Sequence, residues 1–191
     1  MRVPLPPQLL SDYRSAGARQ RSRLAGENPL KLDIIRWLLQ KHRGRQTLII
    51  GHYLQQLKTI AKRFGAPLIS GELPMEERTR LYEQFRQGRI PVLVVSKVAN
   101  FAVDLPDASV AIQVSGSFGS RQEEAQRLGR ILRAKKDGNG AYFYSLVSEL
   151  TKEQDYALNR QRFLAEQGYR YRIEKISFPD PKAAESREER R

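Results

Sequence analysis

The run Pro91-Val92-Leu93-Val94-Val95 constrains the fold of this chain more than any other stretch. It has no polar face to offer water, and its valines are stiff, β-branched residues, so it reads as a strand covered on both sides. Such strands belong to parallel sheets, whose crossover connections lay helices over both faces. The rest of the chain fits that reading. Thr47 to Ile50, Pro67 to Ile69, Ser109 to Val114 and Ala141 to Val147 are further short β-runs. Between them lie helical stretches with the expected punctuation. Asn28-Pro29 opens a largely apolar helix through Leu39 that ends at the basic turn Lys41-His42-Arg43-Gly44-Arg45. Tyr53 to Phe64 is closed by Gly65, Pro74 to Gln87 is closed by Gly88, and Thr151-x-x-Gln154 opens a helix running to Gln167 before Gly168. Tyr169, Tyr171 and Ile173 alternate with Arg170, Arg172 and Glu174, which predicts a half-buried edge strand. The expectation is one α/β domain with a mostly parallel sheet over residues 28–176. Residues 1–27, rich in Arg, Ser, Pro and Gly, read as an N-terminal arm or linker, and residues 177–191, without periodicity, as a disordered tail.

Charge narrows the choice of partner. With 34 Lys and Arg against 21 Asp and Glu, the 191-residue chain carries a net charge of +13. Such an excess points to a polyanion, nucleic acid before an acidic membrane, because each cation that neutralises a phosphate releases counterions. The chain has no cysteine and two histidines, His42 and His52, which stand apart without a metal-binding spacing, so no metal site is expected. No export signal or long apolar span is evident, and a cytoplasmic location follows, nucleoid-associated if the source is prokaryotic. Neither a G-x-x-x-x-G-K-[ST] phosphate loop, a G-x-G-x-x-G fingerprint nor a G-x-S-x-G elbow is present. A chain that uses a nucleotide without its own phosphate loop must share it with another domain.

In open parallel sheets ligands bind beyond the carboxyl ends of the strands, here the loops after Ile50, Ile69, Val95 and Val114. The last of these leads into Gln126-Arg127-Leu128-Gly129-Arg130-Ile131-Leu132-Arg133. Ser120 with Glu123 forms a capping-box start and Asp137-Gly138-Asn139-Gly140 a stop. On a helix, Gln126, Arg130 and Arg133 fall within about 60° of one another, opposite Ala125, Leu128, Ile131 and Leu132. That arginine side is either an ordinary solvated face or a pair of cations aimed at one polyanion. Gly129, unfavourable by about 1 kcal/mol in mid-helix, indicates close approach of a backbone or ligand. The loop Ser96 to Pro106 (SKVANFAVDLP) adds a hydroxyl at a strand end, Lys97, and an acid at Asp104. Ser96 suits a nucleic-acid phosphate or a local backbone cap, and Asp104 suits a ribose hydroxyl, an arginine or an Asx turn.

Taken together these segments resemble the second RecA-like lobe of a superfamily two helicase, that of the XPB-type DNA repair helicases. QRLGRILRAKK (Gln126 to Lys136) resembles that family's last helicase motif, and SKVANFAVDLPDASVAIQVSG its preceding one. AYFYSLVSELTKEQDYALNRQRFLAEQGYRYRI (Ala141 to Ile173) is similar to a segment characteristic of this family rather than of helicases at large. The resemblance implies a RecA-like three-layer α/β/α domain. It implies Arg130 and Arg133 as arginine fingers and Gln126, Asp104 and Gly129 beside ATP. Ser96, Lys97, His52, Ser70 and Gly71 would lie along the DNA. Where many related helicases have a glycine two residues before the acid, this chain has Ala102. The phosphate-loop lysine and the acids that hold magnesium would come from a first RecA-like lobe. The chain then reads as a fragment, or separately expressed half, of an ATP-dependent DNA helicase of nucleotide excision repair, inactive alone. The competing expectation is a non-catalytic basic module that binds DNA or docks a partner such as a repair nuclease.

Overall fold

The computed structural model describes residues 1–96, 108–116, 141–166, 168 and 172–176. A short strand β1 (Arg2–Val3) precedes helices α1 (Pro7–Ser15), α2 (Ala18–Gly26) and α3 (Leu30–Lys41). Then come β2 (Thr47–Gly51), α4 (Leu54–Phe64), β3 (Leu68–Ile69), α5 (Met75–Arg86), β4 (Val92–Ser96) and β5 (Val110–Gln113). Beyond them are β6 (Tyr142–Ser145), β7 (Val147–Ser148) and α6 (Glu153–Glu166). Five strands form one sheet in the order β3-β4-β2-β5-β6, and every neighbouring pair is parallel. The apolar run around Val94 is therefore an inner strand, as its composition requires. All five residues of the central β2 are buried.

Alternation along the strands sorts the core into two layers. Ile49, Val94, Val110 and Ile112 face Ile34, Ile35 and Leu38 of α3 and Leu57 and Ile60 of α4. Leu48, Ile50, Leu93, Val95 and Ala111 face Tyr82 and Phe85 of α5. The result is the three-layer α/β/α sandwich. The helix stops fall where backbone chemistry puts them: Gly65 closes α4 with φ +60°, its N–H donating to Ala61, and Gly88 follows α5 with φ +73°. Glycine takes these left-handed positions without a Cβ penalty.

Three segments depart from the local reading. Residues 1–27, expected as an arm or linker, are folded onto the domain: β1 pairs in parallel with β7, and Val3 is fully buried. Leu5, Tyr13 and Ala25 form a small core of their own with Leu9, Leu10 and Leu24. The contacts that tie this segment to the rest, such as β1 with β7, join residues more than a hundred positions apart, so composition under-weights them. Tyr13, for example, accepts a 2.9 Å bond at its hydroxyl from the Lys152 N–H. Second, the β-run Ala141 to Val147 is broken at Leu146, β6 belonging to the main sheet and β7 to the β1 pair. Third, residues 172–174, expected in an edge strand, form none; the chain pairs instead through one bridge, Arg2 with Lys175. Residues 169–171 and the expected tail 177–191 lie outside the described residues.

Candidate functional site

Because the main sheet is wholly parallel, the carboxyl ends of its strands lie along one edge. Gly51 pairs with Ser96, Ile69 with Val95 and Ile50 with Gln113. That register brings Ser70, Ser96, Gly51 and Val114 into adjacent positions, with His52 and Ser115 one residue further out. The expected positions His52, Ser70, Gly71 and Ser96 thus share one edge. Lys97, Asp104, Gln126, Gly129, Arg130 and Arg133 lie outside the described residues.

The chemistry along that edge is uneven. Ser96 is 5% exposed, and its Oγ has no hydrogen-bond partner among the described residues. A buried hydroxyl left in that state is destabilising by about 1–3 kcal/mol, so it is a group ready to meet an incoming acceptor. Ser70 is committed locally: its Oγ accepts a 3.3 Å bond from Glu72 N–H and its carbonyl a 3.2 Å bond from Leu73 N–H. Arg78 ties the same turn down, donating to Leu73 O at 2.6 Å and Gly71 O at 2.8 Å. His52 is exposed, and its ring stands edge-on to Tyr53 with centroids 5.1 Å apart. Tyr53 lies against Gly26 so closely that a Cβ there would overlap its ring. Burial pushes the Tyr53 phenol above its ordinary pKa, and the negative charges of Glu153 and Glu27 push it the same way.

Behind the edge runs a continuous polar network. His52 N–H donates to Ser115 Oγ at 2.9 Å, and Ser115 donates to Gln56 Oε1 at 2.9 Å. Gln56 Nε2 donates to Gly26 O at 2.6 Å, and Lys31 Nζ donates to the same carbonyl at 3.2 Å. Lys31 also donates to Val114 O at 2.8 Å and to Glu153 Oε2 at 3.0 Å. The same Glu153 oxygen accepts from Ser148 N–H at 2.9 Å. Ser148 Oγ in turn donates to Ala25 O at 2.7 Å and accepts from Asn28 Nδ2 at 3.1 Å.

Among the described residues no group of three or more His, Cys, Asp and Glu side chains is placed to hold a metal ion. Nor is any described helix long and apolar enough to cross a membrane.

Comparison with known proteins assigns the lineage. The family described as ERCC3/RAD25/XPB C-terminal helicase matches residues 1–187. The chain belongs to that family. Its XPB relatives include a protein of Kineococcus radiotolerans named DNA 3'-5' helicase XPB, 56% identical over 173 residues, covering 91% of this chain and 31% of the relative. One of the same name from Mycobacterium tuberculosis is 53% identical, covering 84% of this chain and 29% of the relative. The Saccharomyces cerevisiae general transcription and DNA repair factor IIH helicase/translocase subunit XPB/SSL2 is 39% identical, covering 89% of this chain and 21% of the relative. The chain therefore spans under a third of the length of these curated XPB relatives. Among solved structures, the C-terminal domain of the DEAD-box protein Dbp5 superposes with a TM-score of 0.62 at 18% identity, covering 71% of this chain and 79% of that one. That likeness concerns the fold, which is the RecA-like lobe expected from the motifs.

Sequence reasoning about this XPB-family lobe missed Lys31, Gln56 and Glu153, and it reached Ser115 only as part of the loop after Val114. A signal for Lys31 was present. The buried face of α3 is Lys31, Ile34, Ile35 and Leu38, the i, i+3, i+4, i+7 stripe of a core-facing helix with a lysine at its first position. A cation on the apolar stripe announces a buried partner.

Proposed function

We propose that this chain is the second motor lobe of an ATP-dependent DNA helicase of the XPB kind, working in DNA repair with a first RecA-like lobe. The observation that carries the reading is the carboxyl edge of the sheet. His52, Ser70, Gly71 and Ser96 converge there, and the Ser96 hydroxyl is buried without a partner among the described residues. The chain's net charge of +13 supports a nucleic-acid track over that edge.

In this reading Ser96, Lys97, His52 and the Ser70-Gly71 turn contact the phosphate backbone of one DNA strand, without reading sequence. In the same reading Arg130 and Arg133 serve as the finger arginines that stabilise negative charge developing on the phosphate oxygens of a nucleotide shared with the first lobe, and Gln126 and Asp104 serve as nucleotide-binding residues. Arginine suits the task because its planar fork meets two oxygens at once. Bound in that cleft, ATP supplies the phosphoryl group whose transfer to water drives the motor; magnesium and the phosphate loop belong to the first lobe. Closure of the lobes moves His52, Ser96 and their neighbours relative to the first lobe along the strand.

The test is steady-state ATPase activity, with and without DNA, of this chain alone and joined to an XPB-type first lobe. Activity is expected only in the joined form, falling by about 10³-fold in Arg130→Ala or Arg133→Ala. A joined protein that is folded, binds DNA and stays inactive would point instead to a non-catalytic DNA-binding or partner-docking module.

A further inference from the structure

Lys31 is 1% exposed, and its ammonium is shared among three elements: the last residue of α2, the residue after β5 and the first turn of α6. Among the described residues three oxygens accept from the ammonium: Gly26 O, Val114 O and Glu153 Oε2. A buried ion pair is weak support for stability as such, since apolar residues of similar volume often serve that end as well or better. What Lys31 does that an apolar side chain cannot is fix the direction of a main-chain carbonyl.

That carbonyl belongs to Val114, where the chain leaves β5 for the segment carrying Gln126, Arg130 and Arg133. The next residue, Ser115, is held through Gln56 to Gly26 O, the same oxygen that Lys31 binds. Two independent side chains thus brace consecutive residues of the exit against one point on α2. The Ser115 hydroxyl also receives the N–H of His52, joining the DNA edge to the same brace.

We propose that Lys31 is a positioning residue of the ATPase reaction: together with Gln56 it fixes Val114 and Ser115, from which the arginine-bearing segment departs, against α2 and α6. The inference rests on reading Arg130 and Arg133 as finger arginines. It gives residues 1–27 a role in turnover, because α2 supplies the anchoring carbonyl. In this role Lys31 acts through the arginines, whose contribution falls steeply with misplacement.

The experiment uses the two-lobe protein. Lys31→Met keeps the methylene bulk and removes the three bonds. The expected result is a folded protein whose kcat falls about 10- to 100-fold, with KM for ATP and affinity for DNA unchanged. In an Arg130→Ala/Arg133→Ala background the same substitution should have no further effect on kcat, because residues acting as one unit are not additive. A general structural defect would multiply with the arginine loss. Should Lys31→Met fail to fold, Lys31→Met/Glu153→Gln removes the unbalanced charge while keeping an acceptor for Ser148 N–H, and Gln56→Met tests the other arm of the brace. Unchanged kcat in a folded variant, or effects that multiply, overturns the proposal. If the arginine substitutions alone leave kcat intact, the finger reading falls first, and this inference with it.

Discussion

Replacing Gly51 by alanine tests how tightly the carboxyl edge is packed, because two opposing effects meet there. Gly51 is absent from the glycines with positive φ, so alanine can adopt its backbone. At a compatible site the change ordinarily stabilises by about 0.4–1 kcal/mol, through the entropy of the unfolded chain. Here the added Cβ would lie 2.8 Å from Leu57 Cδ2, 2.9 Å from Val114 Cγ2 and 3.1 Å from Ser115 Oγ. Ordinary carbon contacts begin near about 3.5 Å, so the neighbours must yield by about 0.7 Å. Neither has room to do so: Leu57 and Val114 are both fully buried in the same core, and valine is stiff at χ1. Overpacking of this kind destabilises by about 1–3 kcal/mol. The steric effect wins, leaving a net loss of about 0.5–2.5 kcal/mol. For a chain of this size that lowers the melting temperature by about 1–10 °C. Urea unfolding of Gly51→Ala should show a lower midpoint with an unchanged m-value. In a Leu57→Ala background, where the shorter of the two carbon clashes is removed and the one with Val114 stays, the loss should shrink. A Gly51→Ala protein as stable as the parent would refute the packing argument.

Other consequences concern two buried hydroxyls, of Tyr82 and Ser96, that have no partner among the described residues. Tyr82 is 1% exposed, and burial pushes its phenol up to about 12. A raised folded pKa favours the protonated form, so its contribution is intact below about pH 10 and lost as pH rises from about 10 through 12. Tyr82→Phe should therefore raise stability at neutral pH by about 1 kcal/mol and flatten the alkaline decline, measured by urea unfolding across pH 8 to about 12. An alkaline decline as steep as the parent's would count against that assignment. Ser96→Ala should split stability from function: unfolding midpoint equal or higher, DNA-stimulated ATPase of the two-lobe protein lower with its salt dependence unchanged, since a neutral hydroxyl releases no counterion. Equal loss of stability and activity would mean that the hydroxyl serves the fold.

Much of the layered fold was legible because its signals are local. The strand around Val94 announces double burial by composition, and Gly65, Pro74 and Gly88 mark helix boundaries through backbone constraints each residue carries by itself. What escaped is everything decided by a partner distant in the chain. β1 is two residues long and exists only because Val147 and Ser148 lie beside it. The break at Leu146 arises for the same reason, one run of sequence serving two sheets. Of the site, the family resemblance named Arg130, Arg133, Asp104 and Ser96, and of these Ser96 is the one among the described residues, at the carboxyl edge of the sheet. The brace behind that edge uses common residues, a lysine, a glutamine, a serine and a glutamate, whose meaning comes only from convergence on Gly26 O and Val114 O. Lys31 is the exception that was readable, because a cation at the first position of the stripe Lys31, Ile34, Ile35, Leu38 conflicts with its neighbours. Local conflict of that sort, in a sequence otherwise consistent from strand to strand, is where a chain sets stability aside for function. By the same logic the Ser96 hydroxyl, without a partner among the described residues, and the buried Lys31 ammonium are one phenomenon seen at two depths: polar groups buried at or behind the carboxyl edge, where the proposed ligand contact and the proposed frame for it would lie.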